Sequence, residues 1–420
     1  MNRDFFKGVF TGILGMVIVF SAFTIIYTAS MGETPFPAIM EKDRYVDSKT
    51  ADEAVFQKKD ENVPASEVLR KMTLLQKYID KYYINDTSGT DYVSGMYKGM
   101  IDSLGDIYSA YYSEDEYARL QETSSGNYSG IGAVVQQEKE SGNMSIVSVY
   151  EDSPAKEAGL RPDDIIYMVD GKSVSGKDLS TVVSWMKGEE GTKVELTVYR
   201  KNKKVTLEIE RRKIEIKTVA SEMLEGDIGY IVVAEFEEAT VKQFNHAVDE
   251  LDKKGMKGLI VDLRNNGGGV MKSAILMLDR LLPEGVVVST KDKEGTKQVF
   301  HSSDQKSFKK PLVVLINENS ASASEIFAGA VKDRNAGTLV GMKSFGKGIV
   351  QTVFGLGDGS ALKLTTSEYF TPSGQNIHGK GIEPDVVIDF PEKVKEKGYV
   401  SREEDVQLKR AMEEILRHPY

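Results

Sequence analysis

Cysteine is absent from the 420 residues, which removes disulfides, thiolate nucleophiles and cysteine-ligated metals from consideration. That absence suits a chain entering an oxidising space without establishing that it does so. Histidine is scarce, at four: His246, His301, His378 and His418. No HExxH motif occurs and no two histidines sit at metal-ligand spacing, so the sequence holds no zinc-enzyme pattern and implies no cofactor. A surplus of basic residues is also missing: 54 Lys and Arg face 64 Asp and Glu, a net charge of −10. Nucleic-acid partners need clustered cations and are therefore not expected. What is present is ordinary for a globular protein, 40% apolar and 28% charged, and long enough for two or three domains. No internal repeat stands out.

The N-terminus carries one long uncharged run. From Gly8 to Gly32 no residue is charged, and Val9 to Tyr27 is nearly continuous apolar sequence. About 20 residues at roughly 1.5 Å each span the hydrocarbon core of a bilayer. Arg3 and Lys7 precede the run while Glu33 and Glu41 follow it, so the N-terminus is expected to stay in the cytoplasm and the remainder to be exported. The alternative is a cleaved signal peptide, with Thr28-Ala29-Ser30 as small residues near a cut site. The run exceeds a usual signal-peptide core, which favours an uncleaved anchor. Expected segments are a cytoplasmic tail over 1–8, a transmembrane anchor over 9–29 and a polar linker over 30–62. The protein is thus expected to be single-pass in the cell membrane, with everything after the anchor extracytoplasmic.

Three folded regions follow. Over 63–120, Val68, Met72, Leu75, Tyr78 and Ile79 recur at helical steps, a second helix runs near Tyr92 to Leu104, and Ser113-Glu114-Asp115-Glu116 has capping-box form. Over 121–210 lies an α+β module. Gly130-Ile131-Gly132-Ala133 starts a β-like run, Ser153 to Gly159 is a short capped helix, and Leu179, Val182, Val183 and Met186 stripe another. The third region spans 211–392, where strand and helix alternate from Ile228 onward. The continuous apolar runs Gly258–Leu263 and Leu312–Ile316 predict buried strands, each leading through a polar loop into a helix, Val270–Leu282 and Ser324–Lys332. The tail over 393–420 holds one amphipathic helix from Arg402 to Leu416.

Residues able to carry chemistry cluster where strand turns to helix. Ser320-Ala321-Ser322-Ala323-Ser324-Glu325 places serines beside free helix N–H groups, where developing negative charge is favoured. The same letters satisfy a capping box that needs no catalysis. A serine requires a base. Lys347, between Gly346 and Gly348, is the better candidate and His378 the runner-up; a lysine serves only if burial favours its neutral form. Gly341-Met342-Lys343-Ser344-Phe345-Gly346-Lys347-Gly348 nearly forms a P-loop, but Gly348 stands where a hydroxyl must bind Mg²⁺, and a β-type run follows instead of a helix. Asn265-Asn266-Gly267-Gly268-Gly269 is the second glycine-rich connection, either an anion-binding nest or a tight turn.

In combination these stretches resemble the C-terminal processing peptidases, or tail-specific proteases, with an embedded PDZ domain. The resemblance rests on Gly105–Tyr111, Gly130–Ala133, Ser153–Gly171, Asp262–Gly269, Ser320–Phe327, Ser344–Gln351 and Tyr369–Asp385, in that order. It implies a multidomain α/β and α+β protein: transmembrane helix, helical subdomain, PDZ domain, α/β serine peptidase core of crotonase-like ββα units and C-terminal helix. It implies a Ser/Lys endopeptidase with Ser322 as nucleophile, Lys347 as base and Gln351 as the residue orienting that base. Oxyanion donors would be Ala323 and Gly267 or Gly268. The PDZ domain would bind apolar protein C-termini by strand addition, on Gly130, Ile131 and Gly132 and against Leu179, Val183 and Met186. A homodimer through the helical termini and an activating protein belong to the same expectations, with no residues that identify either. The alternative function is a catalytically silent PDZ adaptor for protein C-termini. The intact Ser322, Lys347 and Gln351 set favours the enzyme.

Overall fold

A computed structural model describes residues 64–417 apart from 139–140, 304–307, 396 and 398–399. The expected cytoplasmic tail, transmembrane anchor and most of the linker lie outside the described residues. No helix among the described residues is long and apolar enough to cross a membrane. These residues divide into two compact units, one of 64–119 with Gln351–Thr365 and the other of Leu120–Val350 with 366–417.

The smaller unit begins with α1 (Ala65–Tyr82) and α2 (Tyr92–Asp102), then β1 (Ala110–Tyr112) and the start of α3 (Glu114–Ser125). The Asp91 side chain caps α2 by accepting from the Ser94 N–H at 3.0 Å. At α3 the Ser113 N–H donates to Glu116, as the capping-box pattern predicts. Helical periodicity in α1 is real, but none of its residues is buried among the described residues.

In the larger unit, β2 (Asn127–Gly130) leads into the six-stranded PDZ-type sheet. Its elements are β3 (Ala133–Gln137), β4 (Met144–Val149), α4 (Pro154–Glu157), β5 (Ile165–Val169), β6 (Lys172–Ser173), α5 (Leu179–Met186), β7 (Lys193–Arg200) and β8 (Lys203–Glu210). Strand order is β3-β4-β5-β7-β8, with β6 paired to β5. The β7–β8 hairpin turns at Lys201 and Asn202, both at positive φ, the twist a two-residue hairpin needs. A core of Ile131, Val135, Ile146, Leu160, Val182 and Leu196 fills this module.

β9 (Arg212–Glu215) pairs back on β2, and the peptidase-type core follows. It comprises β10 (Val219–Leu224), β11 (Ile228–Val233), α6 (Glu238–Lys253), β12 (Gly258–Asp262), α7 (Met271–Leu281), β13 (Gly285–Asp292), β14 (Lys297–Ser302), β15 (Leu312–Ile316), α8 (Ala323–Asp333) and β16 (Thr338–Gly341). The sheet order is β10-β11-β12-β15-β16-β19, with β19 at Val386–Val387, and from β11 onward every pair is parallel. β17 (Ile349–Gly355) and β18 (Ala361–Phe370) precede β19, while α9 (Glu392–Lys395) and α10 (Val406–Arg417) close the chain. One face of the sheet packs on α6, α7 and α8, where Phe236, Phe244 and Phe327 are fully buried, each worth about 2–3 kcal/mol. The other face packs on Leu408, Ala411 and Ile415 of α10. With both faces covered, β12 and β15 are buried at every position, which is why their sequences read as unbroken apolar runs.

Two expectations about elements change. The sheet begins one strand earlier, at β10. The tail helix is broken at Asp405, which caps α10 through the Leu408 N–H and accepts two hydrogen bonds from Arg264. Arg264 also grips Asp262, to which the Tyr230 hydroxyl donates at 2.7 Å. A buried charge network therefore ties the tail to the C-terminal end of β12.

Candidate active site

The three serines of the cluster have different surroundings. Ser320 is buried; its hydroxyl donates to the Leu263 carbonyl at 2.8 Å and accepts the Asn317 N–H at 2.9 Å. Ser324 is buried, with its hydroxyl donating to the Asn266 carbonyl at 2.9 Å. Both pin the turn to the neighbouring glycine loop. Ser322, between them, is only half-buried and has φ 53° and ψ −112°. A non-glycine residue at positive φ is strained, and such strain is held in place only by over-determining contacts. It turns the chain sharply from β15 into α8, leaving Ser322 at the N-terminal end of a helix.

The contacts that hold it converge on Glu325, in the first turn of α8. Its carboxyl accepts four hydrogen bonds: from the Ser322 N–H at 2.9 Å, the Ser344 hydroxyl at 2.6 Å, the Gly346 N–H at 2.7 Å and the Lys347 N–H at 2.8 Å. Burial pushes this carboxyl up from its ordinary value, against the lowering effect of those donors. The Tyr369 hydroxyl donates to the Ser322 carbonyl at 3.2 Å. Burial first, and Glu325 second, raise that hydroxyl well above its ordinary range, so it remains a donor. One carboxylate thus fixes the backbone of the serine turn and of the lysine loop together. Sequence reading saw Glu325 only as a helix cap.

Lys347 is buried. Its flanking glycines are required by close approach: a side chain at Gly346 would begin 2.8 Å from the Gly381 N, and at Gly348 2.6 Å from the His378 N. His378, the runner-up base, has an exposed side chain, and no hydrogen bond connects it to the serine turn among the described residues. Gln351, on β17, is buried, belongs to the smaller unit, and donates to the Thr365 hydroxyl at 3.2 Å.

The glycine loop lies against the serine. A Cβ on Gly268, whose φ is 107°, would sit 2.8 Å from Ser322 Cβ and 2.9 Å from the Ala323 N. The Gly268 N–H donates to Asn266 Oδ1 at 2.8 Å, and its carbonyl accepts the Phe236 N–H at 2.8 Å. No described residue accepts from the N–H of Gly267 or of Ala323. Between the two glycines, Gly267 is the one with a donor to spare.

On the PDZ side, Ile131, Val183 and Met186 line a cavity of about 300 Å³. Leu179 is not among its lining residues and packs half-buried on the module's core, so the stripe divides between groove and core. Gly130 pairs with Arg212 and has the Tyr128 ring over it; Gly132 turns its N–H towards the Tyr128 hydroxyl.

Comparison with known proteins agrees with this architecture. The family model for peptidase family S41 matches residues 227–388 and that for the PDZ domain residues 145–200. The carboxy-terminal processing protease CtpA of Bacillus subtilis (strain 168) is 40% identical over 77% of this chain and 70% of its own length. This chain belongs to the carboxy-terminal processing proteases of peptidase family S41. A probable CtpA-like serine protease of Staphylococcus aureus is 38% identical over 77% of this chain and 65% of its own length. Among solved structures, a photosystem II D1 C-terminal processing protease is 29% identical with a TM-score of 0.45, covering 77% of this chain and 89% of that one.

Proposed function

We propose that this S41 chain is an active endopeptidase that processes or degrades exported proteins, with Ser322 as nucleophile and Lys347 as general base. The observation carrying it is the single carboxyl of Glu325 that binds both the Ser322 and the Lys347 backbone N–H, beneath a strained serine turn. Removing an amine from water favours its uncharged form, the form able to take a proton. Lys347 takes the proton of the Ser322 hydroxyl as the oxygen attacks a peptide carbonyl, then returns it to the leaving amine. Water hydrolyses the resulting ester. The N–H groups of Ala323 and Gly267 receive the charge that forms on the carbonyl oxygen. The family resemblance alone carries Gln351 as the residue that orients the base.

The PDZ module selects substrates by their C-terminal residues, which add as a strand beside β3 with an apolar side chain against Ile131, Val183 and Met186. The run over 9–29 anchors the protein in the cell membrane, and its catalytic part works outside the cytoplasm. The exposed Leu69, Leu75 and Tyr78 of α1 suit self-association through the helical termini. The test is cleavage of an unfolded protein with an apolar C-terminus by the full chain, beside Ser322→Ala and Lys347→Ala. Each variant is expected to lose at least about 10³-fold in kcat/KM while keeping its circular dichroism. Cleavage by either variant at the wild-type rate refutes the dyad.

A further inference from the structure

The PDZ-side cavity has a floor that peptide-groove residues do not supply. Between β11 and α6 the chain runs Glu235-Phe236-Glu237 in extended form. Phe236 points into the core, where its ring lies 6.1 Å from Phe327, so the alternation of an extended segment puts Glu235 and Glu237 together on the other side. Both line the cavity with Ile131, Val135, Val183 and Met186. Glu237 is 1% exposed, and its carboxyl oxygens meet no donor from the protein other than the neighbouring Glu235 carboxyl. Thr240 donates to the Glu235 backbone carbonyl at 3.0 Å, but among the described residues the only hydrogen-bond partner of the Glu235 carboxyl is Glu237. Buried acceptors are almost always satisfied, and leaving one without a donor is costly.

The neighbours do not supply the missing charge. Lys187, at the cavity rim, is paired with Glu122, and Lys217 makes no ion pair with either carboxyl among the described residues. Tyr128 and Tyr150 face the space with hydroxyls raised by burial, and Glu238 adds a further negative charge beside Glu237. The two carboxyls lie against each other. Burial, then the charge of Glu235, raises Glu237 to about 9, and burial raises Glu235 as well. Near neutral pH the pair therefore holds a proton in place of a cation.

We propose that Glu235 and Glu237 form a subsite for a basic side chain, arginine or lysine, carried by the same peptide whose apolar residue fills the groove at Ile131, Val183 and Met186. It rests on the reading that this module binds protein C-termini, and it adds a second, charged selection to the apolar one. Two carboxyls side by side match the donor fork of a guanidinium, and a cation entering the site releases the shared proton.

The test uses full-chain Ser322→Ala, which leaves its ligands uncut, and fluorescent peptides with one apolar C-terminus. A reference peptide has leucine at each of the preceding four positions, and four relatives carry a single arginine. Anisotropy is expected to show at least one arginine peptide binding about tenfold tighter than the reference. That ratio is expected to fall to near one in Glu237→Gln and in Glu235→Gln, and to grow between pH 6 and pH 9. Equal binding of all five peptides, or a preference that survives both substitutions, overturns the subsite and leaves tail binding standing. Reference-peptide affinity that falls with pH and depends on Glu237 and a free C-terminal carboxylate also overturns it, by giving the carboxyl pair to the tail. Failure of every peptide to bind removes tail binding and the subsite together.

Discussion

Glu325 and Glu237 are both buried glutamates near the start of a helix, and burial raises both carboxyls above their ordinary value. Glu325 collects four donors, three from the backbone of the serine turn and the lysine loop. Glu237 collects none from the protein beyond the Glu235 carboxyl beside it. A fully satisfied buried carboxyl acts as a strut, because each donor would lose its partner if the carboxyl moved. An unsatisfied one facing a cavity is poised for something that arrives. The same residue type thus marks scaffold at the serine turn and the proposed reception site before α6.

The comparison predicts its largest effect at Glu325. Glu325→Ala strands three N–H groups and the Ser344 hydroxyl in a buried place, at a cost of about 3–5 kcal/mol. Cleavage is expected to fall at least about 10²-fold even under conditions where the variant remains folded, since the serine turn and the lysine loop lose their common anchor. Urea unfolding alongside single-turnover cleavage separates the two losses. A variant that is destabilised yet cleaves normally would reduce Glu325 to a helix cap.

That reduction is how Glu325 looks in the sequence, and the reason is physical. Its helix partner, Ser322, lies three residues away, within reach of pattern reading. Ser344, Gly346 and Lys347 lie 19 to 22 residues on and return only because β16 runs parallel beside β15. Local signals are legible in the same way elsewhere: the Ser113 cap and the wholly buried β12 and β15. Three alternating serines carry no local signal that separates them; only the long-range bonds of Ser320 and Ser324 do, and family resemblance had to choose Ser322. The Asp405 break in the tail helix was hidden because its partner, Arg264, is 141 residues away. Glu235 and Glu237 carry no local signal, since nothing adjacent in sequence says that the PDZ module stands over them. The stripe on α1 was read correctly as helix, but periodicity does not name what covers a face.

A middle-sized effect is expected at Gly268, which touches both regions. Its carbonyl is clamped by the Phe236 N–H of the segment bearing the carboxyl pair, and its Cα lies against Ser322. Gly268→Ala adds a Cβ 2.7 Å from the Ala321 carbonyl oxygen at a φ of 107°, costing about 2 kcal/mol. Expected results are a lower urea midpoint and a fall in kcat larger than any change in KM, because the displaced atoms border the proposed oxyanion donors. A change in KM alone would detach this loop from the chemistry.

The smallest effect has the opposite sign. In the folded chain Glu237 keeps its proton up to about pH 9, whereas in the unfolded chain it ionises near its ordinary value. Between those limits the unfolded state binds fewer protons, so stability contributed at this site falls as pH rises, and it stops falling above about pH 9. Glu237→Gln removes the titration at this position while keeping the shape, and its amide N–H can donate to the Glu235 carboxyl in place of the shared proton. The variant is therefore expected to be at least as stable as wild type at pH 8, by up to about 1 kcal/mol, with a flatter dependence of urea midpoint on pH between 5 and 9. Glu325→Gln, measured beside it, is expected to be less stable at every pH, since an amide offers one acceptor where four donors converge. If both glutamine variants lose stability alike, Glu237 is another strut and the distinction between the two carboxyls disappears.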